Sequence, residues 1–176
     1  MKRHLVLVVS AIVLAAVVGL SILLVTRQPV SATSVPSALV GRSAPDIAGS
    51  RLSGGNFSLA AERGKIVVVN FFASWCGPCH VEEPNLITFA WQQRLKGVVV
   101  LGVVFNDTLA AARAFDAEYG TNYPSMGDLA GSLAFHYGVT SPPTTFIIDP
   151  HGHVAAEYVG PLSTAQLDDA VARVRA

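Results

Sequence analysis

Two cysteines are the whole thiol content of this 176-residue chain, and both stand in Trp75-Cys76-Gly77-Pro78-Cys79. Thiols at this spacing can close a disulfide across one helical turn. An apolar, β-branched run ends at Ala73-Ser74-Trp75, and a helical pattern opens at the motif. A thiolate on Cys76 would then face free backbone N–H groups and the positive end of the helix dipole. Both effects lower its pKa. Cys76 is the earlier and more exposed position, so it is expected to attack a partner disulfide. Cys79 lies further inside and is expected to resolve the mixed disulfide. A lone C-x-x-C is a weak signal; after a buried strand and at a helix start it becomes strong.

Other chemistries of the same residues compete. An inert structural disulfide would close a tiny loop and remove little chain entropy. Half a zinc site could be completed by His151 and His153, but that pair alternates along a turn and is expected to be solvated. Cys76-Gly77-Pro78-Cys79-His80 also matches the c-type haem attachment pattern, with Met126 or His136 as a second axial ligand. Against haem, the motif directly follows a buried strand. No cofactor or metal is expected.

Composition narrows the class. The chain is 51% hydrophobic and 14% charged, with twelve basic and twelve acidic side chains. That balance excludes a strongly basic nucleic-acid binder and an acidic disordered chain. Two cysteines exclude a disulfide-dense scaffold and a four-cysteine zinc site. The charge is unevenly placed: residues 1–30 carry Lys2, Arg3 and Arg27 and no acid, which leaves the remainder at nine basic against twelve acidic. Between them, Leu5 to Val25 is uncharged. As a helix this run is about 31 Å long, enough to cross a bilayer core. Residues 1–27 are therefore expected to be a transmembrane signal-anchor, amino terminus inside. The competing readings are cleavage near Ser31-Ala32-Thr33-Ser34 and a buried core helix, the latter opposed by the lack of a polar face. Residues 28–44 read as a linker or extended lead-in, and 45–176 as the globular domain.

The elements that must position the cysteines follow from periodicity. Ile66 to Phe72 and Val98 to Phe105 are continuous apolar runs, expected as strands buried on both faces. Phe57-Ser58-Leu59 reads as a short edge strand. Helices are expected over Cys79 to Leu95 with Pro84 inside, Thr108 to Tyr119, and Ala130 to Tyr137. Thr144 to Ile148 and Val154 to Val159 read as strands joined by the turn Asp149-Pro150-His151-Gly152. Ser163-Thr164-Ala165-Gln166 is a capping box opening the last helix. This order predicts an α/β fold, a mixed sheet with helices on both faces.

Trp75-Cys76-Gly77-Pro78-Cys79 resembles the active site of the thioredoxin superfamily. The wider pattern resembles its membrane-anchored TlpA/ResA/DsbE (CcmG)-type thiol–disulfide oxidoreductases. Matching stretches are Val40-Gly41-Arg42-Ser43-Ala44-Pro45, Gly64-Lys65 before Val67-Val68-Val69-Asn70-Phe71, Glu82 with Pro84, and Gly138-Val139 ahead of Pro143-Thr144-Thr145-Phe146-Ile147-Ile148-Asp149 with Gly152. The resemblance covers residues 40–176 and implies a thioredoxin-like mixed central sheet flanked by helices. It implies that Pro143 is the cis-proline that faces the disulfide and docks substrate, with Pro142 as the competing candidate. Trp75, Gly77, Pro78, Pro143 and Thr144 are then the substrate-binding positions. Glu82 matches an acid that exchanges protons with Cys79, whereas Glu83 is expected to be exposed. Asn70 stands where cytoplasmic thioredoxins have a buried Asp, so Glu82 or water must relay protons. Val98 to Tyr137 fits the strand and helix this branch inserts. His80 departs from the Arg or Lys of many relatives and is expected to face solvent, and His136 to pack or hydrogen-bond. The lead-in around Ala44-Pro45 also resembles that of peroxiredoxins, which the two-cysteine frame argues against.

The expected activity is dithiol–disulfide exchange on the outer side of a bacterial cytoplasmic membrane. The resemblance implies reduction of partner-protein disulfides, with apocytochrome c as the favoured substrate and a membrane thiol protein as electron donor. The alternatives are an oxidase or isomerase for secreted proteins, a haem electron carrier, and a binding module with non-catalytic cysteines.

Overall fold

The computed structural model describes the backbone of residues 2–25 and 31–176, and the side chains of 11–22 and 31–176. The chain divides into two compact units, Met1–Val30 and Ser31–Ala176. In the first, helix α1 spans Lys2–Val25. Among the described residues no helix is long and apolar enough to cross a membrane. Of the anchor expected over residues 1–27, side chains are described for residues 11–22 and the others lie outside them.

The second unit is built on a six-stranded mixed sheet. Its strands are β1 Thr33–Ser34, β4 Ile66–Phe72, β5 Val98–Val104, β6 Ser125–Gly127, β7 Thr144–Ile148 and β8 Val154–Val159. They run in the order β1-β8-β7-β4-β5-β6. β4 lies at the centre, parallel to β5 and antiparallel to β7. A separate hairpin pairs β2 Ala48–Ser50 with β3 Asn56–Ser58, turning through Gly54 and Gly55, whose φ values of 93° and 74° suit glycine.

Every residue of β4 is buried. This is why Ile66-Val67-Val68-Val69-Asn70-Phe71-Phe72 is apolar without alternation: both faces meet other layers. Val67, Val69 and Phe71 face a core with Phe146, Tyr137 and Leu101. Ile66 and Val68 face the opposite core, built from Leu86 and Phe89 of helix α2 (Gly77–Gln93) and Leu167, Ala170 and Val171 of helix α5 (Thr164–Arg175). Burial of each such large side chain contributes about 1.5–3 kcal/mol. Phe72 and Val104, at the ends of β4 and β5, join a third cluster with Ala112 and Phe115 of helix α3 (Leu109–Tyr119). The short helix α4 covers Ser132–Tyr137.

Helix ends follow local rules. Thr108 caps α3 by accepting the Ala111 N–H at 3.1 Å, and Gly120 ends it at a left-handed φ of 66°. The expected capping box opens α5: Ser163 Oγ accepts the Gln166 N–H, and Gln166 Oε1 accepts the Ser163 N–H.

Two parts differ from the sequence reading. The compact unit begins at Ser31, not at Pro45. Thr33–Ser34 pairs with the edge of β8, and Val40 and Ser43 bridge to Val154 and His153. The lead-in therefore supplies backbone partners to an otherwise open strand edge, which its Pro- and Ser-rich composition conceals. The second difference is β6. Its Ser-Met-Gly gives no strand signal, and it is held by parallel pairing with Gly102 to Val104.

Candidate active site

Central strand β4 delivers the cysteines. After Phe72 the chain turns through Ala73 to Cys76, closed by the Cys76 N–H donating to the Ala73 carbonyl at 3.2 Å. Cys76 is the N-cap of α2, with extended φ −87° and ψ 104°. Pro78 sits in the first turn, where a missing N–H costs nothing. Cys76 and Cys79 form a disulfide.

The cysteines are buried nearly equally, at 3% and 2% exposure. The expected difference in exposure is absent. Their difference lies in hydrogen bonding: Cys76 Sγ accepts the Cys79 N–H at 3.2 Å. A helix N-terminal N–H aimed at one sulfur stabilises a thiolate there. Around the buried sulfurs, Trp75, Gly77 and Pro78 are exposed. Trp75 is 58% exposed and donates its indole N–H to the Asn106 carbonyl at 3.1 Å.

Beneath the cysteines lies a polar chain in an apolar setting. Glu82 is one helical turn beyond Cys79, on the same side of α2, and is 1% exposed. Its Oε2 accepts the Asn70 side-chain amide at 2.8 Å, and its Oε1 accepts the Leu162 N–H at 2.8 Å. Asn70 also donates to Thr145 Oγ1 at 2.9 Å. Burial pushes the Glu82 carboxyl up to about 7; the bonds from Leu162 and Asn70 hold it back, and neighbouring Glu83 adds a smaller upward push. A carboxyl near 7 can both take and return a proton at neutral pH.

The Pro142–Pro143 peptide bond is cis, so of the two candidate prolines it is Pro143 that follows the cis bond. Pro143 is buried and leads into β7, two residues before the Thr145 that bonds Asn70. Thr144, expected to contact substrate, is 2% exposed and donates its hydroxyl to the Ser141 carbonyl at 2.7 Å. Its hydroxyl is thereby turned to the Ser141 loop.

Two expectations are corrected. Glu83 is not exposed: it is 2% exposed, accepting the hydroxyls of Thr121 and Tyr123 at 2.6 Å each. Burial raises its carboxyl pKa, those two bonds lower it, and the charge of Asp116 raises it. In α2 the side facing β5 and α3 is wider than an apolar-only pattern suggests, because Thr121 and Tyr123 supply the polar partners. His80 does not simply face solvent: its Nε2 lies 2.8 Å from the Ser74 carbonyl and its Nδ1 2.8 Å from the Tyr119 hydroxyl. Both ring nitrogens are thereby engaged. His136 is exposed, with its ring 5.8 Å from Phe135. Met126 is buried in the core under the other face of β4 from His80's α2.

Asp107 also belongs to this site, without a signal in the sequence. Its Oδ2 accepts the Ser74 N–H at 2.8 Å, and Oδ1 accepts the Thr108 N–H at 2.7 Å. Burial pushes its carboxyl up, but the bonds from Ser74 and Thr108 outweigh it and hold the pKa below its usual value. An Asn-Asp-Thr triplet before a helix looks like an ordinary cap; nothing local shows that it reaches Ser74.

A thioredoxin-like sheet carrying a redox-active Cys-x-x-Cys pair at the start of α2 defines a protein thiol–disulfide oxidoreductase. The chain belongs to the AhpC/TSA family, whose pattern matches residues 40–157. It is 38% identical over 133 residues to the thiol:disulfide interchange protein HelX of Rhodobacter capsulatus, covering 74% of this chain and 73% of that one. It is 30% identical over 129 residues to the thiol-disulfide oxidoreductase ResA of Bacillus subtilis, covering 73% and 72%. Among solved structures, a thioredoxin-family thiol:disulfide interchange protein from Chlorobium tepidum superposes with a TM-score of 0.71 at 30% identity, covering 81% of this chain and all of that one.

Proposed function

We propose that this oxidoreductase works as a reductase of partner-protein disulfides on the outer side of a bacterial cytoplasmic membrane, with apocytochrome c as favoured substrate during cytochrome c maturation. The observation that carries the exchange chemistry is the placement of Cys76 Sγ at the α2 N-terminus, accepting the Cys79 N–H, with buried Glu82 one turn on; the reducing direction rests on the Gly77-Pro78 pair, as in reducing thioredoxins. Similarity to HelX and ResA supports the same assignment. The uncharged run 5–25 behind Lys2 and Arg3 supports a membrane tether with the domain outside.

In the reduced protein, the Cys76 thiolate attacks one sulfur of the partner disulfide. The partner's S–S bond breaks, one partner sulfur leaves as thiolate, and a Cys76–partner mixed disulfide forms. Cys79 then loses its proton to Glu82, directly or through water, and attacks Cys76 Sγ. The partner's second sulfur leaves as thiolate and is protonated. Two electrons pass to the partner, and this chain is left with the Cys76–Cys79 disulfide. A membrane thiol protein restores the dithiol by the reverse exchange.

The reduction potential of residues 31–176 tests the direction. A reductase is expected near about −270 mV, the thioredoxin range; a value near about −120 mV, the range of a strong oxidant, would instead assign disulfide formation in secreted proteins.

A further inference from the structure

Ser74 is the first residue inside the turn that carries β4 into α2, and both of its backbone groups are held by side chains. Asp107, from the loop between β5 and α3, accepts its N–H at 2.8 Å. His80, from the first turns of α2, lies 2.8 Å from its carbonyl through Nε2. A carbonyl only accepts, so Nε2 carries the ring proton and donates it. In the neutral ring Nδ1 is then the acceptor, and the Tyr119 hydroxyl donates to it at 2.8 Å. The ring is further fixed against Phe115 and Tyr119, with centroids 5.0 and 5.6 Å away. Phe115 lies in the same buried cluster as Cys76 and Cys79. The titratable groups around this turn are His80 on α2, Tyr119 on α3 and Asp107 on the loop before α3.

We propose that His80, with Asp107 opposite, is a positioning residue that clamps the Ser74 peptide units and so holds Cys76 where its sulfur receives the Cys79 N–H. The physical reason is the turn itself. The Ser74 carbonyl belongs to the central peptide unit of the Ala73–Cys76 turn, and that unit is the one that rotates between turn types. Rotation there changes the direction in which the chain enters the N-cap. Cys76 Sγ then moves off the helix N-terminal N–H, and its thiolate loses that stabilisation. Tyr119 takes part by fixing which ring nitrogen faces Ser74. This coupling ties α3 to the nucleophile without touching either sulfur.

The test is alkylation of Cys76 in the reduced domain across pH, for four proteins measured together with their thermal melts. His80→Phe keeps a ring for packing but has no donor. His80→Gln places an amide N–H near the Nε2 position with no charge. Tyr119→Phe leaves the imidazole but removes the hydroxyl that orients it. The clamp predicts that His80→Phe slows Cys76 alkylation at neutral pH about three- to tenfold, as expected for one lost hydrogen bond, with the midpoint moved to higher pH. His80→Gln is expected to restore most of that rate, and Tyr119→Phe to show a smaller slowing in the same direction. An unchanged alkylation profile in His80→Phe with only a lowered melting temperature would overturn the proposal, since His80 would then serve packing alone. Equal slowing in His80→Phe and His80→Gln would overturn it as well, because charge rather than the bond to Ser74 would be responsible. If His80→Phe does not fold, Tyr119→Phe decides: a wild-type profile there refutes the clamp.

Discussion

Asn70, at the centre of β4, donates its side-chain amide to the Oε2 of Glu82 on α2 at 2.8 Å, in a site where both residues are 1% exposed. The bond joins the strand that delivers the cysteines to the helix that carries them. An amide cannot titrate, so Asn70 orients the carboxyl and leaves the proton to Glu82 alone.

Glu82 makes stability depend on pH. Its carboxyl is raised from an ordinary 4.5 to about 7 in the folded protein, so the folded state keeps a proton that the unfolded chain has released. The group's contribution is fully present below pH 4.5 and is lost as pH rises through about 7. The loss is on the order of 3 kcal/mol. Glu82→Gln is expected to flatten the fall in urea-unfolding free energy between pH 5 and 8. A profile parallel to wild type would show that Glu82 is not the group involved. Asn70→Ala removes a bond that holds the carboxyl down, so the midpoint should move higher still.

Glu83 gives a separate prediction. Its two 2.6 Å bonds from Thr121 and Tyr123 anchor the segment before β6 to α2. Tyr123→Phe leaves a buried carboxylate short of one donor and should cost about 1–3 kcal/mol in thermal or urea unfolding. Thr121→Val should cost a similar amount. The double variant should deviate from additivity, since both act on one carboxylate. Strict additivity would mean the two bonds to Glu83 act independently of each other.

Much of the frame was legible in the sequence. The continuous apolar runs of β4 and β5, the caps of α3 and α5, and the turn after Asp149 each rest on local chemistry. So did the position of the cysteines at a strand-to-helix junction. Glu83, His80 and Asp107 were not legible in their true roles. The partners that define those roles lie 33 to 40 residues away, apart from the Ser74 carbonyl that His80 holds and the neighbouring Thr108 N–H that Asp107 accepts, and no periodicity encodes such a meeting. β6 and β1 were missed for a related reason: two or three residues held by a neighbour's free edge need no propensity of their own.

The aromatic core predicts a shape-dependent cost. Phe146 lies 5.9 Å from Phe71 and 5.0 Å from Tyr137 by ring centroid and is fully buried. Phe146→Ala should destabilise the domain by about 3–5 kcal/mol, and Phe146→Leu by clearly less, because the cavity left is smaller. Urea denaturation of both variants checks the order; equal losses would place the energy in the specific ring pairs rather than in filled volume.

Cys76 alone should be the attacking sulfur and Cys79 the resolving one. Mass spectrometry of the Cys79→Ala and Cys76→Ala variants, each reduced and incubated with an oxidised Cys-x-x-Cys-His peptide of the apocytochrome type, separates the two roles. A stable one-to-one disulfide adduct through Cys76 is expected in Cys79→Ala, with little or none in Cys76→Ala. An adduct formed mainly through Cys79, or none in either variant, would refute this division of roles.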